Sequence, residues 1–271
     1  MSGKYLLLKT ALLGLLLSFI ASAALTAIVE SLVVSWRKSS FYTDLFSLLG
    51  LWTGFLLTCI YALRYQVPQI DQNMIAAPSL HEINGKTSKK ATEKVHGRFF
   101  LSKLFDNYGF KIKPFVDIPL GVGLGVVAQL YLVGLFSWPL SFFVHNLSRK
   151  LSGPADNLVH GLPHTEIIVL GVLVCVMSPL FEELFFRGLL QRAFLEVSAQ
   201  HGRLFSVISS VILTAVFFAI AHFELLQLMP LFGFGVILGL AAYLTRRLGL
   251  GVAAHMAFNA VAYASIARGH F

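Results

Sequence analysis

The chain has 271 residues, of which 56% are hydrophobic and only 13% are charged. Soluble globular domains average about 25% charged residues, because a surface in water needs them, whereas charge in hydrocarbon costs several kcal/mol. The composition therefore excludes an ordinary soluble domain and predicts an all-α, polytopic transmembrane helical bundle. The net charge of +8 does not indicate a nucleic-acid partner, since the basic residues lie between apolar runs and not in one patch.

Seven apolar segments, each close to the roughly 20 residues that a helix needs to cross a bilayer, follow one another along the chain, with eight spans as the alternative count. The first apolar stretch extends to Val29, which is longer than the core of a signal peptide and predicts a retained span. The last three segments are joined by very short connections and should pack as antiparallel neighbours. The segments cover approximately residues 8–29, 44–63, 117–138, 165–181, 204–223, 226–245 and 248–267.

Three regions are predicted from this pattern: a transmembrane hairpin over 1–64, a polar basic loop over 65–114, and a transmembrane core over 115–271. Within the loop, residues 99–105 have the composition of a short amphipathic helix on a membrane surface. Most of the 21 Lys and Arg residues fall on the side of the N-terminus when the spans are followed in order. The positive-inside rule then predicts an integral, multi-pass membrane protein with its N-terminus inside and its C-terminus outside.

Isolated acidic residues in the apolar runs have ordinary structural explanations. Asp44, Asp117 and Glu166 sit at the starts of such runs. Helix N-termini favour carboxylates through capping and through the helix dipole, so these three are expected to stabilise helix ends.

Two adjacent carboxylates interrupt the apolar sequence after the fourth segment, in the stretch that runs from Ser178 to Gly188. On a helix, Glu183 and Arg187 are four residues apart and can form an ion pair. Glu182 lies about 100° around the same helix, so it remains free to bind or activate something. A charge cluster at a helix end is the structural alternative.

Two further clusters place histidine in or beside apolar helices. Phe218 and His222 close the fifth segment, and His255 and Asn259 share one face of the last segment. Each cluster has an ordinary explanation of its own, as a hydrogen-bonded core histidine or as an interhelical polar pair.

Together the three clusters supply the groups that hydrolysis needs. Glutamate can take a proton from water, imidazole can orient that water, and a His/Asn pair can donate hydrogen bonds to an oxyanion. The same set could bind a divalent metal such as zinc, with Glu182, His222 and His255 as ligands, and metal-free glutamate chemistry is the alternative. Other membrane-protease chemistries lack their motifs, since the chain has no Gly-x-Ser-Gly, no Gly-x-Gly-Asp and no His-Glu-x-x-His.

The order of these motifs, Glu-Glu-x-x-x-Arg, Phe-x-x-x-His and His-x-x-x-Asn, resembles that of the CPBP family of CAAX proteases and bacteriocin-processing enzymes, also called the Abi family. The resemblance covers about residues 165–267, with the motifs at 178–259, and implies a helical catalytic core with a site inside the bilayer. It also implies a metallo- or glutamate endopeptidase, which in one branch cleaves after a prenylated cysteine. The expected partners are therefore membrane lipid and a membrane-anchored peptide or protein substrate.

The resemblance also assigns roles to the motif residues. One of the two glutamates would activate water together with the first histidine, while the second histidine and the asparagine would hold the oxyanion. Glu182 is favoured as the base, because Glu183 has the better spacing to Arg187. The catalytic residues so implied are Glu182, Glu183, His222, His255 and Asn259, with Arg187 and Phe218 as structural support.

The predicted boundaries put Glu182 near one end of the fourth span and His222 near the far end of the fifth. Opposite ends of two full spans lie about 30 Å apart, so convergence requires a bend near Pro179 or different boundaries. We expect the polar residues to converge. Two other functions fit the composition: a non-proteolytic immunity or scaffold protein of the same family, and a transporter with a buried polar path, which should show repeats or paired broken helices.

Overall fold

The computed structural model describes residues 3–32, 40–65 and 100–268, and within these ranges it contains helices and no strand. Most of the predicted polar loop, and residue 99 of its amphipathic segment, lie outside the described residues. The α-helices are α1 (Gly3–Leu32), α2 (Ser40–Ala62), α3 (Phe100–Asn107), α4 (Pro114–Val127), α5 (Val133–Ser141), α6 (Leu147–Val159), α7 (His164–Val172), α8 (Ser178–Glu183), α9 (Gln191–Ser198), α10 (Arg203–Ile220), α11 (Leu228–Thr245) and α12 (Gly249–Ala267).

Seven helical segments in the described ranges are long and apolar enough to cross a membrane, which confirms the predicted number of spans. Helices are the expected spanning element, because hydrocarbon offers the backbone no hydrogen-bond partner outside the chain. The chain is thus an integral, multi-pass membrane protein, and the direction of its termini stays a prediction. The seven segments are Tyr5–Leu32, Phe41–Ala62, Pro114–Ser141, His164–His201, Arg203–Ile220, Leu225–Thr245 and Gly249–Ala267.

The fourth segment, His164–His201, is one continuous helix of 38 residues, called the long helix below. The predicted end at residue 181 is wrong, because α9 prolongs this helix with a polar stretch that hydropathy reads as a connection. In the structure Gln191 and Arg192 are 2% and 1% exposed and find their partners inside the protein. Hydropathy reports the preference of a segment for lipid, so it misses helical turns whose polar groups are satisfied by protein.

The first two helices pack against each other through small residues. Helix α2 also packs against the long helix. A Cβ atom at Gly54 would lie 2.5 Å from the Cα atom of Ser18, so only glycine permits this approach. On the other side of α2, the Trp52 indole donates a 3.3 Å hydrogen bond to the Ser178 hydroxyl and stacks on Phe181 at 5.2 Å. The hairpin therefore supports the long helix just before its two glutamates.

Helices α4 and α12 also meet through glycine. A Cβ atom at Gly121 would lie 2.6 Å from that of Ala253, and one at Gly125 would collide with the carbonyl oxygen of Ala254. Small residues let membrane helices approach closely and gain packing energy along their length. This contact fixes the position of α12, which carries His255.

Residues 107–113, called the strap below, lie across the end of the bundle and bind helices α2 and α9. Arg192 donates a 2.8 Å hydrogen bond to the carbonyl oxygen of Tyr108, and the Tyr108 hydroxyl donates one of 2.6 Å to the carbonyl oxygen of Cys59. Burial raises the pKa of the Tyr108 hydroxyl, so this group stays a donor. In α3, which precedes the strap, Leu104 is fully buried, while Phe105 is 37% exposed.

Asp117 stabilises the start of α4, as expected, and has a further partner that the sequence did not indicate. Its Oδ2 atom accepts a 2.7 Å hydrogen bond from the backbone N–H of Lys113. Arg247, 130 residues away, donates to both carboxylate oxygens, at 2.6 Å and 3.0 Å. The hydrogen bond to Asp117 raises the pKa of the Arg247 guanidinium, which keeps this bidentate ion pair charged.

Candidate active site

The long helix and α10 form a helical hairpin whose turn lies at Gly202. This glycine has a φ of +90°, a value that residues with a side chain rarely adopt. Glu182 precedes Gly202 by 20 residues and His222 follows it by 20 residues. Positions equally distant from the turn of an antiparallel helix pair lie at the same depth, so the two side chains meet. The side chains converge as expected, and the predicted boundaries implied a separation of about 30 Å because they ended the fourth span too early.

Glu182 lies at the centre of the cluster, between two histidines from two other helices. Its Oε2 atom is 4.0 Å from Nε2 of His222 and 3.8 Å from Nε2 of His255. The atom is buried and has no hydrogen-bond partner, while the whole side chain keeps 12% of its surface exposed. Both distances exceed a hydrogen bond, which ends near 3.2 Å, so the carboxylate faces the two rings without binding either.

The other ring nitrogens determine which tautomer each histidine adopts. Nδ1 of His222 lies 2.7 Å from the carbonyl oxygen of Phe218, which can only accept, so this nitrogen carries the proton. Nδ1 of His255 lies 3.0 Å from Oε1 of Glu183 and donates to it by the same reasoning. In the neutral state both rings therefore turn an unprotonated Nε2 atom toward Glu182.

Glu183 has a different environment from its neighbour. It is fully buried, and its Oε1 atom accepts hydrogen bonds from Arg187 at 2.9 Å and from His255 at 3.0 Å. The spacing of four residues thus produces the ion pair that the sequence predicted. Arg187, itself 1% exposed, donates a second hydrogen bond of 3.3 Å to the carbonyl oxygen of Gly235. Glu183 thus binds Arg187 and His255 through Oε1, while its Oε2 atom has no hydrogen-bond partner.

Aromatic rings hold the two imidazoles in place. Phe218 is fully buried, and its ring centre lies 4.7 Å from that of His222 and 5.6 Å from that of His255. The guanidinium of Arg187 lies over the Phe218 ring, 4.3 Å from the ring centre. Phe234 of α11 meets His255 edge-on at 5.6 Å. Sequence analysis did not single out Phe234, because an aromatic residue in an apolar span is usually part of the core.

Asn259 lies one turn beyond His255 and binds the long helix instead of the other site residues. Its Nδ2 atom donates a 3.0 Å hydrogen bond to the carbonyl oxygen of Val174. That carbonyl belongs to a π-helical turn, Leu173–Met177, and such turns occur frequently at functional sites. One amide hydrogen of Asn259 is used in this way, and the amide has a second one.

The loop after α10 leaves the cluster partly open. The His222 side chain is 31% exposed, and Phe223 beside it is 74% exposed. Phe223 has a φ of +55°, an unusual value for a bulky residue, and its ring packs edge-on against Phe19 of α1 at 5.1 Å. Burial of the His222 ring lowers its pKa, although the Glu182 carboxylate acts in the opposite direction. The neutral ring can accept a proton or a hydrogen bond.

The described residues do not form a ready metal site. Within 3–32, 40–65 and 100–268, no three His, Cys, Asp or Glu side chains meet as a cluster that could hold an ion. Two ligands of one tetrahedral zinc ion lie about 3.4 Å apart, given bonds of about 2.1 Å. The Glu182 oxygen is 4.0 Å and 3.8 Å from the two histidine nitrogens, so a shared ion would require these side chains to move.

One comparison with known proteins found a match, and its range contains this cluster. Residues 164–261 match the family model described as Type II CAAX prenyl endopeptidase Rce1-like. No curated protein and no solved structure matches the chain. The matched range begins with the long helix and contains all seven residues that the sequence predicted for the site, while α1 to α6 precede it.

Proposed function

We propose that the chain is an endopeptidase that hydrolyses a peptide bond in a membrane-associated substrate, because residues 164–261 match the family model described as Type II CAAX prenyl endopeptidase Rce1-like. Prenylated peptides are the substrate class that the family suggests. The observation that carries the proposal is the unpartnered Oε2 atom of Glu182, which faces Nε2 of His222 and His255. A buried, unsatisfied carboxylate beside two imidazoles is suited to proton transfer.

In the proposed reaction, a water molecule donates one hydrogen bond to Glu182 and the other to Nε2 of His222. Glu182 removes a proton as the water oxygen bonds to the scissile carbonyl carbon, and the carbonyl electrons move to its oxygen. The tetrahedral intermediate then collapses, the C–N bond breaks, and the proton held by Glu182 passes to the leaving amine. The carboxylate is thereby regenerated.

His255 and Asn259 are proposed to stabilise the oxyanion. In this role the His255 ring carries both protons, so that its Nδ1–H donates to Glu183 and its Nε2–H donates toward the substrate. Asn259 contributes the amide hydrogen that Val174 does not use. Removal of one such donor from a hydrolase typically costs about 10²–10³-fold in rate.

A divalent metal such as zinc, bound by Glu182, His222 and His255, is the alternative to this metal-free chemistry. Elemental analysis of the purified, active protein separates the two. Activity that persists with no stoichiometric metal supports glutamate chemistry, and activity that follows metal content supports the metal.

The test of the proposed function is cleavage of a prenylated peptide by the purified protein in detergent. We expect wild type to cleave it, and Glu182→Ala, His222→Ala and His255→Ala to lose about 10²–10⁴-fold in rate. His145→Ala, an exposed residue outside the cluster, is the matched control and should cleave normally. Unchanged rates in all three site variants would remove the mechanism.

A further inference from the structure

Helix α11 contributes no ionisable side chain to the cluster, yet its backbone binds the long helix at two successive turns. Arg187 donates to the carbonyl oxygen of Gly235 at 3.3 Å, and Gln191 donates to that of Gly239 at 2.9 Å. Both the donors and the acceptors are four residues apart, so the two hydrogen bonds lie one above the other along the helix pair. The long helix is therefore held against α11 in one rotational position.

Gln191 is the neutral member of this pair and touches none of the groups proposed to react. The residue is 2% exposed, and its Nε2 atom donates the hydrogen bond to the carbonyl oxygen of Gly239. Between Gln191 and the glutamates lies a seven-residue π-helical stretch, Leu184–Leu190. A π-helical turn is wider than an α-helical one and rare, so the rotation of Glu182 relative to the rest of the helix depends on contacts that hold this stretch in place.

A methyl group at either acceptor would be crowded, because three helices meet here. A Cβ atom at position 239 would lie 3.2 Å from Val211 Cγ1 and 3.3 Å from Gln191 Oε1. One at position 235 would lie 3.1 Å from the backbone of Ala215 in α10. These distances are tighter than ordinary van der Waals contact, so a side chain at either position requires its neighbours to shift by a few tenths of an ångström.

We propose that Gln191 is a positioning residue for the hydrolysis, acting through its hydrogen bond to Gly239 to set the rotation and depth at which Glu182 meets His222 and His255. The inference rests on the proposed function and extends it to a residue outside the three sequence motifs. Misplacement of a reacting group by about 1 Å can cost 10²-fold in rate. The hydrogen bond of Gln191 to Gly239 can therefore affect the rate of hydrolysis although Gln191 lies two turns from Glu183.

The experiment compares kcat and KM for the prenylated peptide in variants matched in residue type. Gln191→Met keeps the length of the side chain and removes the donor, and Gln200→Met makes the same change at an exposed position. Gly239→Ala introduces the crowding methyl group, while Gly123→Ala places one in α4 where no atom lies within 4 Å. The melting temperature of each variant is measured in the same detergent.

We expect Gln191→Met and Gly239→Ala each to lower kcat about tenfold or more, with KM within about twofold, while both controls match wild type. A purely structural residue would instead lower the melting temperature and leave kcat per folded molecule unchanged. The inference is overturned if both test variants turn over like their controls, and Gly239→Ala decides alone if Gln191→Met does not fold. Wild type that fails to cleave would instead remove the proposed function, and the inference with it.

Discussion

Two carboxylates within the membrane-spanning helices differ in whether their oxygens have hydrogen-bond partners. Asp117 is 1% exposed, and both of its oxygens accept hydrogen bonds, from Arg247 and from the backbone of Lys113. Glu182 is also mostly buried, but its Oε2 atom has no partner and faces two histidines beyond hydrogen-bond distance. The first arrangement is what a structural ion pair needs, and the second is what a proton acceptor needs.

The difference shows how to separate structural from functional acids when each is costly to bury. An unsatisfied buried polar group costs about 1–3 kcal/mol, and what distinguishes Glu182 is that its unpartnered oxygen also faces two imidazole nitrogens. In Glu183, one helical position further on, Oε1 accepts from Arg187 and His255, and it is Oε2 that has no partner. We therefore propose different roles for these adjacent glutamates, set by their position around the helix.

The largest effect is expected from His255→Ala, which touches both glutamates. We predict a loss of about 10²–10⁴-fold in cleavage rate, as in His222→Ala, because each removes a ring that faces Glu182. His255→Ala should lower stability more than His222→Ala, because it removes a partner of the fully buried Glu183. Peptide cleavage and thermal unfolding of both variants check this, and equal stability of the two would contradict it.

Glu183→Gln should destabilise the protein strongly. The neutral amide leaves the buried guanidinium of Arg187 without a counter-charge, and breaking a buried ion pair from one side costs about 3–5 kcal/mol. Unfolding of the purified variant in denaturant measures the loss, with Glu166→Gln at the start of the long helix as the control. A stability equal to that of the control would mean that Glu183 is not the structural acid.

Asp117→Asn should lower stability by about 2 kcal/mol and leave the turnover of folded molecules unchanged. The loss is smaller than for Glu183, because Arg247 keeps 16% of its side chain exposed and can be hydrated. Unfolding and cleavage are measured on the same preparation. If turnover per folded molecule falls as it does in the histidine variants, Asp117 is more than structural and the contrast with Glu182 fails.

The smallest loss of stability among these variants is expected from Asn259→Ala, near 1 kcal/mol from the hydrogen bond to Val174. We predict a fall in kcat of about 10²-fold, because the oxyanion would lose one of its two proposed donors. Steady-state kinetics and thermal unfolding test the two parts separately. A stability loss with unchanged kcat would reduce Asn259 to a helix-packing residue.

Local patterns were sufficient to predict the seven spans and the local partner of Glu183. The apolar segments indicated seven spans, and the four-residue spacing indicated the ion pair with Arg187. Both depend on neighbours within a single helix, where geometry follows directly from sequence separation.

Depth in the bundle and long-range partners could not be read from local pattern. The polar stretch of α9 concealed that the long helix continues to His201, and so the equal distances of Glu182 and His222 from Gly202 were missed. The partnership of Asp117 with Arg247 links residues 130 positions apart, which spacing along one helix cannot indicate.

The most direct test of the central claim is to measure cleavage rate and unfolding for Glu182→Gln, with Glu183→Gln prepared in parallel. If Glu182 is the open proton acceptor, its variant loses about 10³-fold in rate and unfolds at or above the wild-type temperature, since no hydrogen bond to Oε2 is lost. A Glu182→Gln protein that is stable and cleaves within tenfold of wild type, or one that unfolds as readily as Glu183→Gln, would contradict the account.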